Sequence, residues 1–359
     1  MLKKILIAIG ILVVILGLLF GAAAYYLKAD EYKVLNFIKE NPQRTSLLLV
    51  RNDSILINHN SDVLTPLAST VKIIIAVEYA YQSANGNISA DDLVALSDLE
   101  QFYVKNTDGD AHPEWLKSVE DKIVDNSISI KEIAKGMIKY SSNANTEWLQ
   151  AKLGLDNINA RIDSLGIENH TAIYYLVSSL FIGKELFPEM KEKELKDKLK
   201  QVDEATYIAT CEKIHQKLLY DKNYKNNIGE LGLDVQKIWT DRLPKSTVAE
   251  YVKIMKMMND KNYFDAATQE YLDEVMEYLH ENPKNKSWMK HGGMKGGSTA
   301  FLLTKALYTT DLEENTTEMV YFMNDLGILE MLKLQFSMNE FELKILTKDD
   351  FRGEVVNKF

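Results

Sequence analysis

The stretch Thr65-Pro66-Leu67-Ala68-Ser69-Thr70-Val71-Lys72-Ile73-Ile74-Ile75-Ala76-Val77 decides how this chain is read. Proline suits the first turn of a helix, where its missing N–H would have had no partner. The spacing predicts a helix from Pro66, with Ser69 in its first turn and large apolar residues behind it. A helix apolar on every face belongs in the middle of a domain, and Lys72 lies inside this run. Residues three and four apart share a helix face. For Lys72 these are Ala68, Ser69, Ile75 and Ala76, so within the helix the Ser69 hydroxyl is its only polar side-chain neighbour. Burial disfavours a charged amine and lowers its pKa by several units. A neutral amine one turn from a serine is a general base beside a nucleophile. The alternative is a lysine that snorkels to solvent from the helix end; these residues alone leave both open.

The rest of the composition narrows the class. With 359 residues the chain has room for one large domain or two smaller ones. A net charge of −10, with Lys and Arg scattered among acids, argues against nucleic acid as a partner. A single cysteine, Cys211, excludes an internal disulfide framework and a Cys-rich zinc site, and reads as a small buried hydrophobe. The six histidines show no ligand spacing, so no metal and no cofactor is expected.

Ile5 to Leu27 carries no charge. As a helix it would extend about 34 Å, enough for the hydrocarbon core. Lys3 and Lys4 precede it, which places the N-terminus in the cytoplasm and the remainder outside. The competing reading is a signal peptide cleaved near Ala22-Ala23-Ala24. The length of the run favours a single-pass anchor over residues 1–27. A tether is expected over 28–45 and one domain over 46–359, on the extracytoplasmic side of the cell membrane.

Within that domain, Ser46–Val50 and Ile55–Ile57 around the turn Asn52-Asp53-Ser54 read as a β-hairpin, directly before the Ser69 stretch. From about 90 to 280 the pattern is helical, with a polar break at Tyr140-Ser141-Ser142-Asn143-Ala144-Asn145. Residues 184–225 are rich in Lys and Glu and read as a solvated helical region or an excursion from the core. Trp288–Gly297 reads as a strand ending in a glycine-rich turn, Ser298 begins its return partner, Glu318–Asn324 makes a third strand, and a closing helix starts near Gly327. The fold class expected is α+β: an antiparallel sheet built from N- and C-terminal strands, flanked by helices, with a helical lobe.

Three polar clusters stand out in order: Ser69-Thr70-Val71-Lys72, Ser141-Ser142-Asn143, and a Lys-x-Gly in the glycine-rich strand. Together they resemble the S-x-x-K, S-D-N and K-T-G set of class A β-lactamases and penicillin-binding proteins. The third motif has two registers, Lys290-His291-Gly292 and Lys295-Gly296-Gly297-Ser298. The second is preferred because it sits at the strand end. The resemblance implies Ser69 as the nucleophile that forms an acyl-enzyme, Lys72 as its base, and Ser141 as proton relay to the leaving nitrogen. It implies that Asn143 and Lys295 bind substrate beside Gly296 and Gly297, and that the N–H groups of Ser69 and Ser298 form the oxyanion hole.

Two departures from the family pattern bear on function. Gly296 (or His291 in the other register) stands where the family has a hydroxyl residue, which removes a donor to the substrate carboxylate. No Glu-x-x-x-Asn pair occurs between Asn145 and Tyr220. The family's glutamate in that pair activates the deacylating water, and without it hydrolysis of a penicilloyl ester should be slow. Ser142 in place of aspartate is expected to weaken a local hydrogen-bond network. The leading expectation is a membrane-anchored serine acyl hydrolase acting on a small-molecule or peptide carbonyl, of β-lactam or peptidoglycan-derived type. A D,D-peptidase and a penicillin-sensing or cell-wall-binding module that acylates and stalls are the alternatives.

Overall fold

A computed structural model describes residues 15–18, 21, 25–229 and 231–359. Most of the expected anchor, Ile5–Leu27, lies outside the described residues. Among those described, no helix is long and apolar enough to cross a membrane.

The stretch expected as a tether is part of the fold. Helix α1 (Glu31–Glu40) is capped by Asp30, whose carboxylate accepts from Tyr32 N at 2.8 Å. Val34, Leu35 and Ile38 recur on one face and are fully buried. That inward face, carried by an otherwise charged segment, corrects the reading of 28–45. Strands β1 (Thr45–Arg51) and β2 (Ser54–His59) then form the expected hairpin. Asn52 and Asp53 turn it with φ of 47° and 63°, the left-handed geometry that matches strand twist.

The Pro66 helix resolves into a 3-10 turn, Ala68–Val71, running into α2 (Lys72–Ala84). Ile73 to Ala76 have no exposed surface, so α2 is buried all round, as its composition requires. It packs against α3 (Asn143–Leu153) and α6 (Ala266–Met276). Between those two lie α4 (Glu204–Tyr220) and α5 (Val248–Asn259), the latter lying across the sheet. The Lys/Glu-rich region is not simply solvated. On α4, Tyr207, Cys211, Ile214 and His215 are buried against the main core.

Strands β3 (Met289–Ser298), β4 (Leu303–Asp311) and β5 (Thr316–Met323) complete one five-stranded sheet, in the order β2-β1-β5-β4-β3 and antiparallel throughout. The two-residue period of a strand divides its side chains between two cores. Leu48, Val50, Ala306, Tyr308, Val320 and Phe322 face the helical body. Leu47, Leu49, Leu307, Met319 and Tyr321 face α1, α7 (Ile328–Thr347) and α8 (Asp349–Val356). The α+β expectation holds: strands from both ends of the chain share one sheet.

Strand β3 lies directly on the Ser69 turn, and Gly297 is why it can. A Cβ there would sit 2.5 Å from Thr304 Oγ1, 2.6 Å from Ser69 N and 2.8 Å from Leu67 O. Two of these are backbone atoms that cannot swing away, so only glycine permits this approach. Gly297→Ala is expected to lower stability by about 1–3 kcal/mol, the usual cost of overpacking. Urea unfolding would read this, with unchanged stability showing that the strand has room to move.

Candidate active site

The site is assembled where α2, the start of α3 and the end of β3 converge on a cleft of about 630 Å³. Ser69 lies half-buried in its wall, on the short turn that precedes α2. Ala68 just before it has φ +45°, in the left-handed region. A side chain there costs about 1–2 kcal/mol, strain that the packing of β3 against this turn holds in place. The free N–H groups and dipole at this helix start favour negative charge beside Ser69.

Lys72 is fully buried and does not snorkel. Its Nζ donates to Ser141 O at 2.7 Å, Asn143 Oδ1 at 2.9 Å and Ser141 Oγ at 3.2 Å. An ammonium has three donors, and none is left for Ser69. Within the helix Ser69 is its sole polar neighbour; the fold supplies three more acceptors from a segment about seventy residues away. Burial lowers its pKa to about 7, against a smaller upward pull from the Asp108 carboxylate.

Ser141 ends a π-helical turn (Gly136–Tyr140) with φ +69°, a second left-handed non-glycine residue bordering the cleft. Its Oγ lies 3.2 Å from Lys72 Nζ and 3.0 Å from Lys295 Nζ, linking the two amines. Lys295 also donates to Gly296 O at 2.7 Å. Burial, then the charges of Lys72 and Lys305, push its pKa well below the usual lysine range. Lys290 does not enter the site: it is exposed and pairs with Glu314 at 2.7 and 2.9 Å. His291 Nε2 lies 3.0 Å from Asn259 Oδ1. Of the two registers, only that of Lys295 reaches Ser141.

Asn143 lines the cleft with its oxygen committed to Lys72, and its Nδ2 has no partner among the described residues. Gly296, Gly297 and Ser298 form the opposite wall, with Ser298 exposed. Ser142 carries a hydrogen-bond network of its own. Ser142 is fully buried, caps α3 by accepting from Asn145 N at 3.2 Å, and donates to Asn145 Oδ1 at 3.0 Å. His112 Nδ1 completes it at 2.9 Å. The short serine side chain leaves room for this imidazole, a partner thirty residues upstream that no local pattern announced.

Three further residues border the cleft without having been singled out from sequence. Lys305 lies opposite Gly296 in the β3–β4 pair, is buried, and reaches Glu342 Oε2 at 3.4 Å. Its one signal was a charge inside an apolar strand. Asp108 accepts from His112 N at 3.1 Å through Oδ2, while its buried Oδ1 has no partner among the described residues. Glu114 lies on the same side. From the segment 168–185 the cleft receives Leu176 and Leu180 and no carboxylate. Glu185 is turned away, held by Lys213, Lys217 and Tyr224 at 2.7–2.8 Å. Beneath that segment the fully buried Glu147 accepts from Val177 N at 2.8 Å and from Ser178 Oγ, and lies 3.0 Å from His215 Nδ1. The His215 ring is stacked 3.7 Å from Tyr175.

Taken together, a hydroxyl at a helix start shares a cleft with a second hydroxyl that links two desolvated amines, an arrangement suited to attack on a carbonyl with proton transfer through that second hydroxyl.

Comparison with known proteins identifies the family and the fold. No curated protein matches the sequence. The model of the beta-lactamase enzyme family matches residues 31–285, which is more than half of the chain and ends before Lys295. A beta-lactamase from Sphaerobacter thermophilus is similar in structure, at TM-score 0.54 and 14% identity, over 88% of this chain and 98% of that one. One from Chitinophaga pinensis gives 0.52 and 12%, over 87% and 98%. A mutant of PBP-A, described as an acyl-enzyme complex with penicillin G, gives 0.51 and 13%, over 87% and 95%. With that family match and this shared fold, the chain belongs to the beta-lactamase enzyme family of serine hydrolases.

Proposed function

We propose that this protein is an extracytoplasmic, membrane-anchored serine hydrolase that acylates rapidly on Ser69 and deacylates slowly. The observation that carries the reading is the buried Lys72 amine, poised near pH 7 and bound to Ser141 and Asn143 beside the Ser69 cleft. Ser69 Oγ attacks the carbonyl while its proton passes to neutral Lys72 through Ser141 Oγ. The N–H groups of Ser69 and Ser298 receive the oxyanion. The C–N bond of the tetrahedral intermediate breaks, and Ser141 delivers a proton to the leaving nitrogen as it regains one from Lys72. An ester on Ser69 remains.

Release of that ester needs a base to activate water. The wall from 168–185 offers Leu176 and Leu180, and Glu147 is spent on backbone and His215. This supports a penicillin-sensing or peptidase-like role over that of a fast resistance enzyme. The neighbouring PBP-A mutant, described as an acyl-enzyme with penicillin G, sits in line with it. Lys295 and Lys305 supply positive charge where Gly296 supplies no hydroxyl, which favours an acyl donor bearing a carboxylate, such as a penicillin or a peptide C-terminus.

Intact-mass measurement after mixing with benzylpenicillin should show a one-to-one adduct that persists, and Ser69→Ala should show none. Rapid return to the free mass would make the protein an efficient lactamase. In stopped-flow acylation the rate should climb with pH in proportion to neutral Lys72 and level off above about 7. Lys72→Ala should slow acylation by about 10²–10⁴-fold, the usual contribution of a positioned base. A pH-independent rate would take that role from Lys72. Penicillin should acylate faster than its neutral methyl ester, and Lys305→Ala should narrow the difference; equal rates would remove carboxylate recognition from the lysine pair.

A further inference from the structure

We propose that the outer face of α7, with Tyr25, Tyr26 and a cluster of three lysines, seats the domain against an anionic phospholipid surface. The proposal rests on the membrane-anchor reading above. Helix α7 has two apolar faces. Leu334, Met338, Phe341 and Ile345 are buried beneath it, while Leu329, Phe336 and Leu343 are 65%, 57% and 44% exposed. These three recur at intervals of seven, so they line one stripe, and nothing among the described residues covers it.

Beside the stripe lies the exit from the apolar run. Tyr25 and Tyr26 are 82% and 41% exposed, and the Lys333 ammonium lies 5.4 Å from the Tyr26 ring centroid. Lys33 Nζ donates to Tyr26 O at 2.6 Å and to Lys28 O at 2.5 Å. Burial, and then Lys333 and Lys28 nearby, disfavour the charge on Lys33 against an upward pull from Asp30, and among the described residues none of the three lysines is in an ion pair. Aromatic side chains at the end of an apolar span, flanked by unpaired lysines, suit the headgroup layer.

Reach argues the same way. Only Lys28, Ala29 and Asp30 separate Leu27 from α1, and three residues extend at most about 11 Å. A domain so tethered cannot stand clear of the bilayer. A second copy of this chain is the weaker occupant, because a two-fold pairing would set the lysine cluster against itself. The same helix lends Gln335, Met338 and Asn339 to the Ser69 cleft, so the site would lie close to that surface.

The test is the full chain reconstituted in vesicles of equimolar phosphatidylglycerol and phosphatidylethanolamine. An environment-sensitive fluorophore goes on Phe336→Cys or, as a remote control, on the 84%-exposed Tyr220→Cys. Cys211 has no exposed surface and does not compete for label. The Phe336→Cys probe should shift to the blue and be quenched by spin-labelled lipid, and the Tyr220→Cys probe should do neither. Reversing Lys28, Lys33 and Lys333 to Glu should weaken the quenching. Protein that floats with vesicles while its Phe336→Cys probe stays water-like overturns the seat and leaves the anchor standing. Protein that does not float removes anchor and seat together. A blue shift that vanishes on dilution with excess lipid assigns the face to a second copy and overturns the proposal.

Discussion

The structure depends on a single amine kept away from water. Lys72 sits at the junction of the Ser69 turn and the most buried helix of the fold, and its three donors are satisfied by Ser141 and Asn143. Its pKa falls to about 7, while the unfolded chain would hold the proton to about 10.5. Between those values the unfolded state binds more protons, so this group makes stability rise with pH, and below about 7 its full cost is present. That cost is on the order of a few kcal/mol, a sizeable fraction of a domain's net stability. The hydrogen bonds to Ser141 and Asn143 offset part of it, which is why the second segment cannot be moved without exposing an unpaired buried cation.

The same region stores strain in its backbone. Ala68 and Ser141, one on each side of the cleft, both take left-handed φ without being glycine. Such conformations persist only where surrounding structure over-determines them. Here the surroundings are the sheet. Strand β3 presses Gly297 onto Ser69 N and Leu67 O, and the Thr304 hydroxyl, between β3 and the Ser69 turn, lies 2.6 Å from Thr70 Oγ1 and 2.9 Å from Leu67 O. A hairpin from one end of the chain and a meander from the other must pair before this contact exists. The long-range β1–β5 ladder is thus what positions chemistry carried by segments far apart in sequence.

Local patterns made much of this legible. The turn residues Asn52 and Asp53 marked the hairpin, and the all-apolar run marked α2. The three polar clusters marked segments that the fold brings together, Lys72 and Lys295 both reaching Ser141. What local pattern could not reach was partnership. It paired Lys72 with Ser69 because both lie on one helix, whereas the fold turns the amine toward Ser141. It preferred Lys295 to Lys290 only by position along the strand; that Lys295 meets Ser141 while Lys290 pairs with Glu314 depends on contacts across the fold. It missed His112 behind Ser142 and His215 behind Glu147, both contacts made across long separations. It took α1 for a tether because its buried face is only four residues deep in a charged segment.

The amines around Ser141 explain why one cleft can hold both a base and an anion site. Burial, then the charges of Lys72 and Lys305, disfavour the charged form of Lys295, while Glu342 lies beside Lys305 and the Asp108 carboxylate pulls Lys72 the other way. Like charges this close repel, which together with burial favours the neutral form of Lys295. On the proposed function, a substrate carboxylate beside Gly296 would supply the counter-charge that Lys295 lacks, whereas Lys305 already has Glu342. Lys72, already bound to Ser141 and Asn143, gains no such partner. Groups of one chemical type are thereby split between roles by their surroundings. On the proposed function, a donor lacking a carboxylate would leave Lys295 without a counter-charge and would acylate more slowly.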